Sequence, residues 1–214
     1  MYVVIVGLSA SGTNLARMLI ERKYDVAVID KDEDRCKEFA AEVDALIIHG
    51  DAEDQDILIN AGIKNAQALV AATDDDSVNL LVVTMAKEFK IPSLVVILRD
   101  PDHAGLFQKI DVKTVMPDEI VAEHIYHLLF TVTDFFCVDK GKFEVFALLV
   151  SERSKAVGKK LKQIKLPNGY NIVGIIRNEK LVAGQDPVLE IGDNIILHGS
   201  RKEDIKSVIE FFRG

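Results

Sequence analysis

The feature that most constrains the fold is a regular alternation of short β-branched runs and helix-period segments along the first two thirds of the sequence. The run at residues 3–6 is continuously apolar, which is typical of a strand buried on both faces of a parallel sheet. Further strand-like runs follow at residues 26–29, 45–48, 68–72, 94–98 and 113–116. Alternation at this spacing favours right-handed crossovers, so we predict an α/β fold with a Rossmann-like, doubly wound parallel sheet.

The segments between these runs have the apolar spacing of helices. In the segment 75–89, apolar side chains recur at i, i+3, i+4 and i+7, at Val78, Leu81, Val82, Met85 and Phe89. We predict shorter helices at residues 32–41, 54–60 and 103–109. Pro117 suits the first turn of a further helix, a crossover helix whose apolar stripe is formed by Val121, Ile125, Leu128 and Val132.

The remainder of the chain has short strands and turns instead of strand–helix alternation. We predict strands at residues 143–150, 171–176 and 195–198, turns at Asn168-Gly169 and Gly192-Asp193, and a helix at 201–212. This pattern is typical of a small α+β lobe. We therefore predict two domains, at residues 1–133 and 134–214, which are joined through a helix because no Gly/Ser-rich linker separates them.

Composition argues against several classes of function. The 214 residues carry a formal net charge of -8, whereas a general nucleic-acid binder needs clustered Lys and Arg for phosphate contacts. No apolar run approaches the roughly 18–20 residues of a membrane-spanning helix, and the first residues lack the basic lead of a signal peptide. Cys36 and Cys137 form neither a metal pattern nor a disulfide framework, which fits a reducing compartment. We expect a cytoplasmic protein.

The strongest local signal is the sequence GLSASG at residues 7–12, directly after the first strand. It approximates the dinucleotide fingerprint GxGxxG, with Ser9 in place of the second glycine. Gly7 allows a tight turn, and Gly12 allows the following helix to pack close to the strand. The N-terminus of that helix presents free N–H groups and a partial positive charge to a phosphate. Ser9 limits the approach of a pyrophosphate, although its hydroxyl could donate a hydrogen bond to one.

Asp30 ends the second strand, where a carboxylate would accept hydrogen bonds from the 2′- and 3′-hydroxyls of a ribose. A carboxylate at this position also disfavours a 2′-phosphate, so the pattern argues against NADP. The simpler interpretation is a turn at the top of the sheet with a capped helix and a solvated Asp30. The strand–loop–helix–strand–acid context favours the nucleotide interpretation.

Polar residues also follow the third and fourth strands, and in an open α/β sheet the loops at these ends line the ligand crevice. Thr73 and Asp74 are equally well interpreted as helix caps or as caps that also contact a ligand. Asn79 lies on the polar side of the following helix and points back to the same end. Our candidate nucleotide-binding residues are Gly7, Ser9, Ala10, Ser11, Gly12, Asp30, Lys31, Asp51, Ala52, Ala72, Thr73, Asp74 and Asn79.

The sequence lacks the signals of catalysis. An oxidoreductase needs an acid or base over the nicotinamide, and none of the histidines lies in a recognisable catalytic motif. His124 and His127, at i and i+3, could share a metal, but a surface or interface pair is the simpler interpretation. Asp118 and Glu119, at the start of the predicted crossover helix, could form a cation site, but compensation of the helix dipole is the simpler interpretation. We expect a protein that is not an enzyme and holds no metal.

In the order of these motifs, the chain resembles RCK domains, the regulators of K+ conductance, typified by the cytosolic Trk/Ktr-type K+ uptake subunits. The resemblance rests on the 7–12 loop, Asp30, the segment 50–52 and the segment 72–79, in that order. It extends into the last third, which is similar to the C-terminal RCK lobe in the segments 157–161, 166–167, 175–177 and 191–195.

This resemblance implies a gating-ring subunit for a separate membrane-embedded potassium channel or transporter. Family members dimerise through the crossover helix and assemble into octameric rings, which can be homo- or hetero-oligomers. A nucleotide, which is NAD(H), ATP, ADP or AMP, lies in the N-terminal lobe and alters the shape of the ring. The C-terminal lobe binds a second ligand in some relatives, including cyclic di-AMP, and no residue is assigned to that role here.

The resemblance also implies roles for individual residues. The phosphates would face Gly7, Ser9 and Gly12, the ribose would contact Asp30, and the adenosine would be surrounded by Asp51, Ala52 and Thr73. ATP-responsive relatives often carry a basic residue inside the glycine loop, where this chain has Ala10. AMP, ADP or NAD is therefore at least as plausible as ATP. The alternative functions that stay open are an NAD-dependent oxidoreductase and a redox-sensing transcription regulator.

Overall fold

A computed structural model describes residues 1–129, 134–138, 143–166, 169–182, 186–200 and 205–213. The chain forms two compact units, Met1–Ile120 and Val121–Gly214. Each unit has its own sheet and its own hydrophobic core.

The first unit contains a six-stranded parallel sheet. Its strands are β1 (Tyr2–Val6), β2 (Asp25–Asp30), β3 (Leu46–His49), β4 (Ala68–Ala71), β5 (Ser93–Ile97) and β6 (Lys113–Val115). Their spatial order is β3-β2-β1-β4-β5-β6, and each neighbouring pair is parallel. This order reverses beside β1, since the chain first moves outward to β3 and then returns to β4 on the other side. The predicted Rossmann-like fold class is confirmed.

Helices cover both faces of this sheet. They are α1 (Ala10–Glu21), α2 (Glu33–Glu42), α3 (Gln55–Asn60), α4 (Asp76–Glu88) and α5 (Ala104–Lys109). A further helix, α6 (Pro117–Leu129), begins in the first unit and continues into the second. Side chains alternate across the sheet, so Val3 and Ile5 pack with α1 and α2, whereas Val4 and Val6 pack with α3, α4 and α5. Because the strands are buried on both faces, they appear in the sequence as continuous apolar runs.

The starts of the helices are fixed by side-chain caps at the carboxyl ends of the strands. Ser9 caps α1, Asp32 caps α2, Asp54 caps α3 and Asp75 caps α4. Each cap accepts hydrogen bonds from N–H groups of the first helical turn, which have no partner within the helix. The polar residues that follow each strand therefore have a structural role in addition to any contact with a ligand.

The second unit contains a five-stranded antiparallel sheet and one helix. Its elements are β7 (Asp134–Val138), β8 (Phe143–Leu149), β9 (Tyr170–Arg177), β10 (Lys180–Leu181), β11 (Asn194–Ser200) and α7 (Ile205–Arg213), and the strand order is β10-β9-β11-β8-β7. One face of the sheet packs against α7 through Phe146, Leu148, Ile195, Val208 and Phe212. This arrangement is the predicted small α+β lobe.

Two strands of this unit are absent from the sequence prediction. β7 lies where we expected only a break in the helical pattern, because five residues give too little alternation to identify a strand. β10 has only two residues and pairs with the end of β9 through a turn in which Asn178 and Glu179 have φ values of 49° and 62°. Asparagine tolerates this left-handed region, and it was the available signal for a hairpin.

Some predictions fall on residues outside the described ranges, namely Val132 of the apolar stripe, Asn168 of a turn and the first residues of the segment 201–212. The predicted boundary at 133/134 also adjoins residues outside these ranges, and it stays a prediction. Among the described residues, no helix combines the length and the apolar character that crossing a membrane would require.

Candidate ligand-binding site

A cavity of about 280 Å³ lies at the carboxyl ends of β1, β2, β3 and β4. It opens where the strand order reverses, which is the place where open α/β sheets bind their ligands. The cavity is lined by Val6, Gly7, Ser9, Ile29, Asp30, Lys31, Asp32, Arg35, Gly50, Asp51, Ala52, Glu53, Thr73, Asp74, Asp75 and Val78.

The turn between β1 and α1 is shaped by two glycines. Gly7 has a φ of +103°, and a Cβ added there would lie 2.6 Å from the carbonyl oxygen of Ala72. A Cβ on Gly12 would lie 2.1 Å from the carbonyl oxygen of Gly7. Both positions therefore require glycine, because the first turn of α1 folds back onto the end of β1 and touches the start of the β4–α4 turn.

Ser9 occupies the middle of this loop as the N-cap of α1. Its Oγ accepts a hydrogen bond from the Gly12 N–H at 3.3 Å, and the residue is buried. The hydroxyl hydrogen of Ser9 remains a donor, and the first amides of a helix have no partner within the helix. The loop thus offers backbone N–H groups and one hydroxyl to an anion, without a charged side chain.

Asp30 joins two turns of the cavity wall. Its Oδ2 accepts a hydrogen bond from the Leu8 N–H at 2.5 Å, and its Oδ1 accepts one from the Asp32 N–H at 2.8 Å. Each carboxylate oxygen has a further lone pair, so Asp30 can accept ribose hydroxyls while it keeps these bonds. The solvated carboxylate that the sequence left open as an alternative is not what the structure shows, because Asp30 is only 9% exposed.

The side of the cavity next to β2 and β3 carries charges of both signs. Lys31, Asp32 and Arg35 follow β2, while Asp51 and Glu53 follow β3. Hydrogen bonds from the backbone N–H groups of Arg35 and Asp34 hold the pKa of Asp32 below its ordinary value. Arg35 Nε lies 3.6 Å from Asp32 Oδ2.

The β4–α4 turn is held from behind by Asn79. The Asn79 Oδ1 accepts hydrogen bonds from the Thr73 N–H at 3.0 Å and from the Thr73 Oγ1 at 2.7 Å. Its Nδ2 donates to the carbonyl oxygens of Thr73 and Ile97, both at 3.1 Å. Asn79 is fully buried and does not line the cavity, so it positions Thr73.

A second buried carboxylate, Asp76, fixes the same turn to the end of β5. It accepts hydrogen bonds from the backbone N–H groups of Arg99 and Asp100, both at 3.0 Å, and from His103 Nδ1 at 2.9 Å. Burial alone would raise the pKa of Asp76, but these hydrogen bonds outweigh it and lower the pKa. The hydrogen bond to Asp76 in turn raises the pKa of His103.

Some of the candidate residues line the cavity, and others do not contact it. Those that line the cavity are Gly7, Ser9, Asp30, Lys31, Asp51, Ala52, Thr73 and Asp74. Ala10, Ser11, Gly12, Ala72 and Asn79 do not line it. They form the first turn of α1, the end of β4 and the support of the β4–α4 turn. The binding roles of all these residues stay predictions.

The candidate set omitted several lining residues, which are Val6, Ile29, Asp32, Arg35, Gly50, Glu53, Asp75 and Val78. Val6 and Ile29 are the final apolar residues of β1 and β2, and their strand positions were available in the sequence. Arg35 carried a weaker signal, since only its place in the first turn of the helix after Asp30 indicates that it reaches the cavity.

Within the described ranges, no three His, Cys, Asp or Glu side chains are grouped as they would be around a metal ion. The side chain of His127 is not among those that the structure describes, and the hypothesis that His124 and His127 share a metal stays a prediction.

Comparison with known proteins gives matches over both units. Residues 3–117 match the TrkA-N domain family model, and residues 145–213 match the TrkA-C domain model. A Trk system potassium uptake protein TrkA homolog of Methanothermobacter thermautotrophicus is 36% identical over 199 residues, which cover 91% of this chain and 92% of that protein.

Solved structures share the fold. The structure described as "GsuK channel bound to NAD" superposes with a TM-score of 0.67 and 17% identity. That match covers 100% of this chain and 39% of the GsuK chain, so this chain spans well under half of that protein. The Kef C-terminal domain of Shewanella denitrificans in AMP-bound form has a TM-score of 0.50 and 27% identity, over 60% of this chain and 80% of that chain.

Proposed function

The chain belongs to the family of proteins built from TrkA-N and TrkA-C domains, and from this premise we propose that it is a nucleotide-sensing regulatory subunit of a potassium channel or transporter. The observation that carries the proposal is the cavity at the reversal point of the parallel sheet, where the β1–α1 turn and the buried Asp30 meet. In this proposal the transport pathway belongs to a separate membrane-embedded polypeptide.

The proposed ligand is an adenine nucleotide, which is AMP, ADP, ATP or NAD(H). Asp30 lies where it can accept the hydroxyls of a ribose, and the start of α1 provides amides for the adjoining phosphate. The Shewanella relative is described as AMP-bound, and the GsuK channel as NAD-bound. The position of the Asp30 carboxylate argues against a 2′-phosphate, and therefore against NADP.

The proposed partner is a membrane-embedded potassium channel or transporter subunit, reached from the cytoplasmic side as a peripheral subunit. We further propose dimers that assemble into an octameric ring, of one kind of chain or of two. The apolar face of α6 supports an assembly role, since Ile120, Val121, Ile125, Leu128 and Leu129 are 51–71% exposed. No nucleic-acid partner is proposed.

Regulation in this proposal follows from differential affinity. A ligand shifts an equilibrium between two shapes of the ring only if it binds one shape more tightly. The hydrogen bonds of Asp30 join the turns after β1 and β2, and those of Asn79 and Asp76 join the turn after β4 to the end of β5. A nucleotide held across these turns therefore contacts turns that are hydrogen-bonded in pairs, and a change in their spacing changes its affinity.

The alternative functions have less support. Hydride transfer requires an acid or base beside the nicotinamide. The lining residues include no histidine, tyrosine or cysteine, so that role would fall to a carboxylate or to Lys31. The relative from Methanothermobacter is named as a potassium uptake protein. The proposal of a non-enzyme would be overturned by hydride transfer from NADH to a carbonyl substrate at enzymatic rates. Specific DNA binding at moderate salt would instead favour a transcription regulator.

The experiment that tests the proposed function is a titration of the purified chain with AMP, ADP, ATP, NAD+ and NADH, followed by calorimetry and light scattering. We expect binding of at least one adenine nucleotide and a mass larger than that of a monomer. Absence of binding to all five, together with a monomeric mass, would contradict the proposal.

A further inference from the structure

The charges around the cavity are distributed unevenly along the direction in which a nucleotide would lie, and this bears on which nucleotide the proposed site takes. The inference rests on the proposed function. The cavity crosses the carboxyl ends of β3, β2, β1 and β4 in that order. The resemblance implies that Thr73, at the start of the β4–α4 turn, lies beside the adenosine. With the ribose at Asp30 and the first phosphate at the start of α1, we take the remainder of the ligand to extend past Thr73 toward Asp74 and Asp75.

The cations that line the cavity lie on the adenosine side. Lys31 and Arg35 both follow β2, and Arg35 is drawn toward Asp32 on its own helix. The β1–α1 turn contributes Gly7 and Ser9 to the lining and no charged side chain. The first phosphate is therefore met by backbone amides and a hydroxyl, with no charged side chain from this turn.

The far end of the cavity, at the β4–α4 turn, is anionic. Asp74 and Asp75 line it, and the lining residues on this side include no lysine or arginine. Asp75 is held in place as a cap, because its Oδ1 accepts hydrogen bonds from the N–H groups of Ser77 at 2.8 Å and Val78 at 3.3 Å. A terminal phosphate placed here would face two carboxylates.

The guanidinium of Arg99 lies next to the β4–α4 turn, but it already forms an ion pair with Asp74. Its Nη2 is 2.5 Å from Asp74 Oδ1, and its backbone N–H is bonded to the buried Asp76. Arg99 does not line the cavity. A terminal phosphate could recruit this charge only by displacing Asp74 from the ion pair, so the wild-type turn offers it no free cation.

We infer that the cavity selects adenine nucleotides by charge, taking AMP or NAD+ and rejecting ATP. AMP ends at the phosphate that α1 receives, so it does not reach the carboxylates of the β4–α4 turn. NAD+ carries one phosphate more than AMP, but it also places a cationic nicotinamide ring toward Asp74 and Asp75, which is an attractive arrangement. ATP places two additional anionic phosphoryl groups against the same carboxylates, which is repulsive.

The test is calorimetric titration of the full chain with AMP, NAD+ and ATP, in magnesium-free buffer at constant ionic strength. We expect ATP to bind about tenfold or more weakly than AMP and NAD+, since the repulsion acts at short range in a partly desolvated site. Asp74→Asn keeps the shape of the side chain, removes its charge and releases Arg99. This variant should strengthen ATP binding about 3–10-fold and change AMP binding less than about twofold.

Two further variants make the test specific. Asp75→Asn retains a capping side chain and removes the second carboxylate, so it should also favour ATP over AMP. The matched control is Asp44→Asn, because Asp44 is exposed and precedes β3, at the opposite edge of the sheet from the cavity. The control should leave the affinities for all three nucleotides unchanged.

The possible results separate this inference from the proposed function. ATP binding as tightly as AMP, or equal responses of AMP and ATP to Asp74→Asn, would overturn charge selection while leaving nucleotide binding intact. Failure of all three nucleotides to bind at millimolar concentration would contradict the proposed function and this inference with it.

Discussion

The two units of the chain hold their buried carboxylates in different ways. In the first unit, Asp30 and Asp76 accept hydrogen bonds mainly from backbone N–H groups of turns at one edge of the sheet. In the second unit, Glu144 accepts a hydrogen bond from Tyr170, and Asp193 accepts a bidentate pair from Arg177. The first arrangement fixes the walls of a cavity, whereas the second links strands and a turn inside a small core.

This difference implies that equivalent substitutions have different consequences in the two units. Loss of a carboxylate in the second unit should reduce stability and leave nucleotide binding alone. Loss of a carboxylate in the first unit should change the conformation of turns that line the cavity, and therefore affect binding as well.

The largest expected effect is on stability, from Asp193→Ala in the second unit. Asp193 is fully buried, and its carboxylate accepts hydrogen bonds from Arg177 Nε at 2.6 Å, from Arg177 Nη2 at 2.8 Å and from the Glu190 N–H at 2.8 Å. Its removal leaves a partly buried guanidinium without its main partner, so we expect a loss of about 2–4 kcal/mol in the free energy of unfolding. Urea denaturation followed by circular dichroism measures this loss.

The control for that prediction is Glu190→Gln, which removes the exposed partner of the same arginine. The Glu190 side chain is 61% exposed, so its ion pair with Arg177 should contribute at most about 1 kcal/mol. Equal losses in the free energy of unfolding from the two variants would contradict the prediction, since the buried Arg177–Asp193 pair would then contribute no more to stability than the exposed Arg177–Glu190 pair.

The next effect is a loss of stability from Asp76→Ala in the first unit, which we expect to be about 2–3 kcal/mol. The variant leaves the N–H groups of Arg99 and Asp100 without their acceptor in a part-buried position. Because hydrogen bonds lower the pKa of Asp76, its contribution is present above the ordinary carboxyl pKa of about 4 and is lost as pH falls through the lowered value. Denaturation at pH 7 and pH 3 should therefore show a smaller difference between variant and wild type at pH 3.

A third effect concerns ligand affinity. We expect Asp30→Ala to weaken adenine-nucleotide binding by roughly 1–3 kcal/mol, the scale of lost hydrogen bonds to a charged group. The structure adds a second cause, because the Leu8 and Asp32 N–H groups lose their acceptor and the two turns are released. Calorimetry measures the change, with Asp44→Asn as the control, and an unchanged affinity in Asp30→Ala would refute the ribose role.

The smallest effect is a pH dependence from His103. Its hydrogen bond with Asp76 raises the pKa of His103, so the contribution to stability is complete below the ordinary histidine value of about 6.5 and is lost as pH rises through the raised value. We expect His103→Gln to lower Tm at pH 6 and to have little effect at pH 9. A difference in Tm that grows with pH would contradict this assignment.

The parallel sheet was predictable because its strands are continuous apolar runs, such as residues 3–6, and because one acidic or hydroxyl cap follows each of several strands. The position of the cavity was also predictable, because β1 to β4 are parallel and their carboxyl ends lie at the same edge of the sheet. β10 was not predictable, because its two residues take their conformation from pairing with β9.

Individual roles at the site were harder to predict than the site itself. Asn79 was predicted to bind the ligand, and that role stays a prediction; in the structure it is buried, and its Oδ1 accepts hydrogen bonds from the N–H and hydroxyl of Thr73. Arg35 was omitted, although it lines the cavity from the first turn of α2. Sequence spacing shows which end of a helix a side chain occupies, and it does not distinguish a residue that lines a wall from one that supports it.

Hydrogen–deuterium exchange of the full chain, with and without saturating AMP or NAD+, tests most directly where the nucleotide binds. We expect slower exchange in the segments 7–12, 30–35, 50–53 and 73–79, which form and support the cavity wall, and unchanged exchange in β8 and β9 of the second unit. Unchanged exchange in all four wall segments, or protection confined to the second unit, would contradict the claim that the nucleotide binds at the carboxyl edge of the parallel sheet.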